Sequence, residues 1–255
     1  MKICFIGDSH LGHIMPTWKE RAASEPSAQA SFHIERTYGT LPLTLLVDSE
    51  KVAEFTDISC AYSAEVEVEN YDAFIVFGMH YSFTALAKTH IDFRSARNRG
   101  NGDAYLLSDS AYSAMIEELY QFSKAKRVID SLKAHTKKPI FYAQQPMPLE
   151  WVIKRSEKNL SFFEKIVASD DIKQLLESYE DSLNQLQFEG VRILRQPSQT
   201  LSMPGFTKSE FGLADINDTS PESPYSKGDY FHMNSSYGEL VTNDILDIVV
   251  NGMGE

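Results

Sequence analysis

Two kinds of apolar pattern alternate along this chain. Short unbroken runs closed by glycine read as strands buried on both faces, and longer stretches with apolar residues every three or four positions read as helices laid on a sheet. The first run, Ile3-Cys4-Phe5-Ile6-Gly7, places strand one at residues 2–7. A Ser/Ala-rich, weakly helical region follows at 16–31, with Pro16 near its start, where a first-turn proline is tolerated. Phe32 to Tyr38 alternates enough for a second strand ending at Gly39. Residues 43–47 and 51–69 are β-like or irregular, and their pattern does not say where they belong.

Ala73-Phe74-Ile75-Val76-Phe77-Gly78 is the next buried strand, with Met79 and His80 in the turn behind it. A polar loop from His90 to Asp103 carries Arg94, Arg97 and Arg99. The stripe from Tyr112 through Ile116, Leu119, Ile129 and Leu132 predicts one helix, and Pro139 to Ala143 a strand. A second long helix is expected over roughly 159–187, and a last short strand at Val191–Leu194. Residues 196–228, rich in Pro, Ser and Gly, read as a long surface connection, and Ser236-x-x-Glu239 as a capping box opening a C-terminal helix. Strands alternating with helices predict an α/β fold with a mainly parallel sheet covered on both faces, in a single domain over 1–255.

The chemistry lies near the two ends. Gly7-Asp8-Ser9-His10 ends the first strand, and Asp229-Tyr230-Phe231-His232 precedes the last helix. A parallel strand ending in a tight turn puts Ser9 at the carboxyl edge of the sheet, where open α/β folds hold their ligands. A serine hydroxyl becomes a useful nucleophile when an imidazole takes its proton and a carboxylate orients that imidazole. Ser9, His232 and Asp229 are the candidates for these roles, and the backbone N–H of Ser9 is the first candidate donor to an oxyanion.

The two blocks resemble those of the SGNH (GDSL-type) hydrolase superfamily, Gly-Asp-Ser after strand one and Asp-x-x-His near the C-terminus. The resemblance implies a three-layer α/β/α sandwich, flavodoxin-like in outline, whose serine carries an acyl group. It implies two further oxyanion donors: a glycine N–H, for which Gly39 is the candidate, and a side chain in a third block at Gly78-Met79-His80, where His80 stands in place of the family's Asn. The Ser-His variant looks most like the domains of carbohydrate O-acyltransferases and esterases, which points to an acetyl ester of a glycan or small molecule as substrate. His10, Arg94 and Arg97 are expected at the substrate, and the 90–103 and 196–228 loops are expected to carry specificity.

Two other readings compete. Asp8-x-His10 after a strand is also similar to the first block of calcineurin-like metallophosphoesterases, with Asp8 and His10 as metal ligands. That family's later Gly-Asp, Gly-Asn-His and Gly-His-x-His blocks are missing here. The third reading is a binding module on the SGNH fold, with an oxyanion hole weakened by the loss of Asn.

Composition narrows the partners. A net charge of −12 argues against nucleic acid, whose binding rests on clustered positive charge. No stretch approaches the length of a membrane span, and because Met1-Lys2 runs straight into the first strand no leader is expected. Two cysteines, Cys4 and Cys60, make no disulfide framework, so a reducing, cytoplasmic setting is expected. The serine reading needs no metal and no cofactor.

Overall fold

The unbroken apolar runs become strands that neither face of the sheet exposes to water. The structure is a computed structural model, and it describes residues 1–24, 28–35, 41–60, 64–96, 104–154, 160–169, 171–215, 217–218, 220–224 and 226–251. Strand β1 (Lys2–Gly7) leads through a 3-10 turn (Ser9–His13) into α1 (Ile14–Ser24) and then β2 (Gln29–Ile34). An insertion follows, β3 (Pro42–Val47), β4 (Glu50–Ser59) and β5 (Glu65–Glu67). The chain continues through β6 (Ala73–Phe77), α2 (Phe83–Asp92), β7 (Phe93–Ser95), β8 (Tyr105–Leu107), α3 (Asp109–Gln121), α4 (Lys124–His135) and β9 (Ile140–Ala143). It ends with α5 (Ser161–Ala168), α6 (Ile172–Phe188), β10 (Arg192–Leu194), the short pair β11 (Leu201–Met203) and β12 (Phe206–Thr207), and α7 (Ser235–Ile245).

The central sheet has the order β10-β9-β6-β1-β2, and every neighbouring pair is parallel. Successive side chains of a strand point to opposite faces, and the core divides accordingly. Cys4, Ile6, Phe74 and Val76 pack on the side that holds the buried faces of α2 through α6. Ile3, Phe5, Ile75 and Phe77 pack with Ile14 and Trp18 of α1 and Ile245 of α7. This is the expected α/β sandwich of three layers. Numbered along the chain, the five parallel strands run 2-1-3-4-5, an order that reverses direction between β1 and β6 and opens a crevice at their carboxyl ends.

Several boundaries differ from the sequence reading. The stripe between Tyr112 and Leu132 is two helices, because Ser123 turns the chain and caps α4, accepting the N–H of Lys126 at 3.1 Å. The long second helix is also two, α5 and α6, parted where Ser169 donates to Asp171 at 2.6 Å. Hydrophobic period alone does not register such a break, since the stripe resumes on the same side. β2 begins at Gln29, inside the stretch read as weakly helical, while Tyr38 and Gly39 lie outside the described residues. The cap of α7 is Asn234, which accepts the N–H of Tyr237 at 3.2 Å, rather than the Ser236 box. The segments that could not be placed form a separate sheet in the order β4-β3-β5, whose Leu43, Leu45 and Val66 join the larger core.

One contact joins the two ends of the chain. A Cβ on Gly238 in α7 would stand 1.9 Å from the carbonyl oxygen of His13. Only a residue without a side chain lets α7 lie this close to the turn that follows Ser9.

Candidate active site

Asp8, the residue before Ser9, organises the floor of the crevice. Its Oδ1 accepts the N–H of His10 at 3.1 Å, capping the 3-10 turn, and its Oδ2 accepts the N–H of Met79 at 3.1 Å, from the turn behind β6. That turn carries three successive left-handed residues, Gly78 (φ 67°), Met79 (φ 55°) and His80 (φ 68°). A side chain at Gly78 would be strained by this φ and would press on the Asp8 carboxylate, 3.1 Å from where its Cβ would lie. Strained turns of this kind concentrate where a fold must aim particular groups, and here the turn faces a cavity.

Ser9 opens the 3-10 turn, so its N–H sits at a position with no acceptor inside the helix. Its Oγ lies 2.8 Å from Nε2 of His232. The His232 ring is held from the other side by Asp229, whose Oδ1 and Oδ2 stand 2.9 and 3.0 Å from Nδ1. The three-residue spacing explains the geometry. Asp229 Oδ1 also accepts the N–H groups of Phe231 (3.3 Å) and His232 (3.1 Å), winding the chain into a turn that returns the imidazole onto the carboxylate. With the Nδ1 proton committed to Asp229, Nε2 is left to accept from the serine hydroxyl.

The segment carrying His232 is clamped along its length. Leu213 N–H donates to the His232 carbonyl (2.9 Å), Leu149 N–H to that of Tyr230 (2.9 Å), and Asn234 N–H to that of Phe211 (2.9 Å). The middle of the long 196–228 connection, at Phe211 and Leu213, therefore serves as a rail for the histidine.

Electrostatics separate the histidines. The hydrogen bond to Asp229 raises the pKa of His232 above 6.5 despite burial, and the charges of Asp229 and Asp8 add to the rise. Burial pushes the Asp229 carboxyl up, but its bonds to His232 and to the two amides outweigh this and hold it below its ordinary value. His10 is buried, stacks on the His232 ring (centroids 4.9 Å apart, planes 24° apart) and is lowered chiefly by burial, partly offset by Asp8. His13 is a core residue, wedged against Phe77 and Tyr237 and lowered well below 6.5 by burial.

A cavity of about 1010 Å³ opens over these groups. Ser9, His10, His80 and His232 line it, together with Glu35, Gln145, Lys19 and Lys88. His80 lines the cavity, but its side chain is 65% exposed and leans toward Glu35, 3.9 Å away. Gly39 and Arg97 lie outside the described residues.

Arg94 corrects an expectation. Its guanidinium is buried, 3.1 Å from Asp171 Oδ2, with His90 on the same oxygen at 3.4 Å. A buried carboxylate demands a counter-charge, so Arg94 is spent inside the fold and does not line the cavity. Nor does any described residue of 90–103 or 196–228 line it; the walls come from α1, the end of β2 and α2 instead.

Sequence reasoning also missed Gln145, Lys19 and Lys88. Gln145 was within reach of a position argument, since it stands two residues past β9 at the same sheet edge as Ser9. The lysines carry no local signal, because a lysine on an exposed helix turn looks alike whether it faces a cavity or bulk water. Among the described residues, no cluster of three or more His, Cys, Asp or Glu side chains is arranged to hold a metal, and no helix is long and apolar enough to cross a membrane.

No protein-family model matches the chain, and no curated protein sequence does. Among solved structures it is similar to a DUF4886 family protein from Bacteroides uniformis, at 8% identity and a TM-score of 0.47, covering 98% of this chain and 83% of that one. It is also similar to the C-terminal catalytic domain of the peptidoglycan O-acetyltransferase OatA of Streptococcus pneumoniae, at 10% identity and a TM-score of 0.32, covering 99% and 94%. Likenesses this loose carry no argument about activity.

Proposed function

We propose that this protein is a serine-dependent ester hydrolase or O-acyltransferase of the SGNH type, with Ser9 as nucleophile, His232 as general base and then acid, and Asp229 as the group that orients His232. The observation that carries the reading is the continuous relay from Ser9 Oγ through His232 to Asp229, with both contacts below 3.1 Å. In the first half-reaction, Ser9 Oγ attacks the ester carbonyl while its proton passes to Nε2. The tetrahedral intermediate collapses, His232 returns that proton to the departing alcohol oxygen, and the acyl group remains on Ser9. Water or a sugar hydroxyl, deprotonated by the same Nε2, then takes the acyl group and frees Ser9.

The oxyanion forms beside the Ser9 N–H and, in this reading, His80 and the N–H of Gly39. Gln145 is a second side-chain donor, favoured by its position on the cavity wall and by the outward lean of His80. One such donor contributes about 2.7–4 kcal/mol to lowering a barrier of this type. The resemblance of Ser9-His10 to the Ser-His variant of carbohydrate-acting domains supports an acetylated carbohydrate as substrate.

The metallophosphoesterase alternative needs further ligands beside Asp8 and His10, and among the described residues no group of three or more His, Cys, Asp or Glu side chains could hold a metal. The binding-module reading leaves the serine–histidine hydrogen bond without a purpose. Fluorophosphonate labelling of the wild type and Ser9→Ala, read by intact mass with and without chelator, tests the assignment. One adduct, lost in Ser9→Ala and indifferent to chelator, is expected; a folded wild type that takes no label would end this reading.

A further inference from the structure

The carboxylates at the cavity are already engaged. Asp8 is bound by two backbone amides, and Glu35 forms an ion pair with Lys124. Asp229 is engaged with His232. Lys19 and Lys88 also line the cavity, and among the described residues neither takes part in an ion pair. They come from opposite layers. Lys19 belongs to α1, which packs through Trp18 on one face of the sheet, and Lys88 to α2, which packs through Phe83, Leu86 and Ala87 on the other. Two ammonium groups thus flank one crevice from two walls, on a protein whose net charge is −12. Both lysines line the cavity that also holds Ser9 and His232, so a negative charge carried by the ligand would meet them there.

From this we infer an anion subsite formed by Lys19 and Lys88, selecting an acyl ester whose carbohydrate part bears a carboxylate or a phosphate. The inference rests on the proposed acyl chemistry of Ser9 and adds the substrate's charge to it. Flexible ammonium groups act as point charges rather than forked clamps, so the site discriminates charge more than anion shape. It takes over the role that the sequence reading gave to Arg94, which the fold uses elsewhere.

The test compares three acetyl esters differing only in charge: those of a methyl hexoside, a methyl hexuronoside and a hexose phosphate. Each is assayed with wild type and with Lys19→Gln/Lys88→Gln, and fluorophosphonate labelling of both proteins serves as a charge-independent control. Wild type is expected to favour at least one anionic ester by about tenfold in kcat/KM, as two solvent-exposed charge contacts allow. That preference should fall with added salt. The double variant should lose it while keeping its rate on the neutral ester and its labelling. Which anionic ester gains more separates carboxylate from phosphate.

Equal rates on all three esters, or an equal loss on all three in the variant, would overturn the subsite. Binding of the hexuronoside and hexose phosphate to Ser9→Ala, by calorimetry with and without the lysine substitutions, reads the subsite apart from the chemistry. Binding that depends on the lysines in a protein whose wild type takes no label would sink the acyl reaction and leave the subsite standing. Binding indifferent to the lysines would do the reverse.

Discussion

Among the described residues, two histidine–aspartate pairs have opposite fates. His232 and Asp229 meet at the cavity, with side chains 37% and 24% exposed, while His90 and Asp171 meet inside the fold at 0% and 6%. The first histidine is raised above 6.5 by its hydrogen bond to Asp229, the second lowered below it, first by burial. Burial is the main cause of the difference, and Arg94 adds to it. Asp171 already faces that guanidinium at 3.1 Å, so its charge is shared and Arg94 itself disfavours a proton on His90. Among the described residues no cation other than His232 pairs with Asp229, and its charge goes to His232 and to two amides. A histidine beside a carboxylate is therefore a poised base only where the carboxylate is otherwise free and water can reach the ring; elsewhere the same pair is a strut.

Breaking the poised pair has the largest expected effect. Asp229→Asn should lower kcat/KM for an activated acetyl ester by about 10³–10⁴-fold, because an amide can hold the wrong tautomer of His232. A loss of less than tenfold at the optimum pH would deny Asp229 its role.

Breaking the strut comes next. Arg94→Met leaves Asp171 buried without its strongest counter-charge and should cost about 3–5 kcal/mol of stability in urea at neutral pH. With the guanidinium gone, protonation of His90 becomes easier, so the penalty should shrink as pH falls from 8 to 6. A penalty independent of pH would show that His90 and Asp171 are not coupled.

The mildest experiment titrates both histidines in the wild type. The His232 imidazole should titrate above 6.5 and His90 below it, read from their NMR ring resonances. In the proposed reaction His232 acts as base only when neutral, so kcat/KM should rise through its midpoint, on an acid limb above pH 6.5 that Asp229→Asn moves down. For stability the signs are opposite. The raised pKa of His232 contributes below its unfolded value and is lost as pH climbs through the folded one, whereas the depressed pKa of Asp229 contributes above its unfolded value and is lost as pH falls. The pair therefore helps most between about pH 4 and 6.5. Coincident midpoints for the two histidines would erase the distinction drawn here.

Much of the fold was legible in the chain because its strongest signals are local. β1, β6 and β9 are unbroken apolar runs that only a doubly covered sheet can bury, and α/β layering follows from their alternation with helical stripes. Asp229 and His232 were legible as a unit because a three-residue turn is a local object. Tertiary packing alone decided the rest. It brought His232 to Ser9, 223 positions earlier, through the glycine contact of α7 with the turn after β1 and the rails along residues 211–213. It also took Arg94 into the core, turned Lys19 and Lys88 toward the cavity, and set the unplaced strands against the larger core. Local pattern says which face of an element is apolar; which partner a charged side chain meets depends on elements far away in sequence, and that information exists only once the layers have packed.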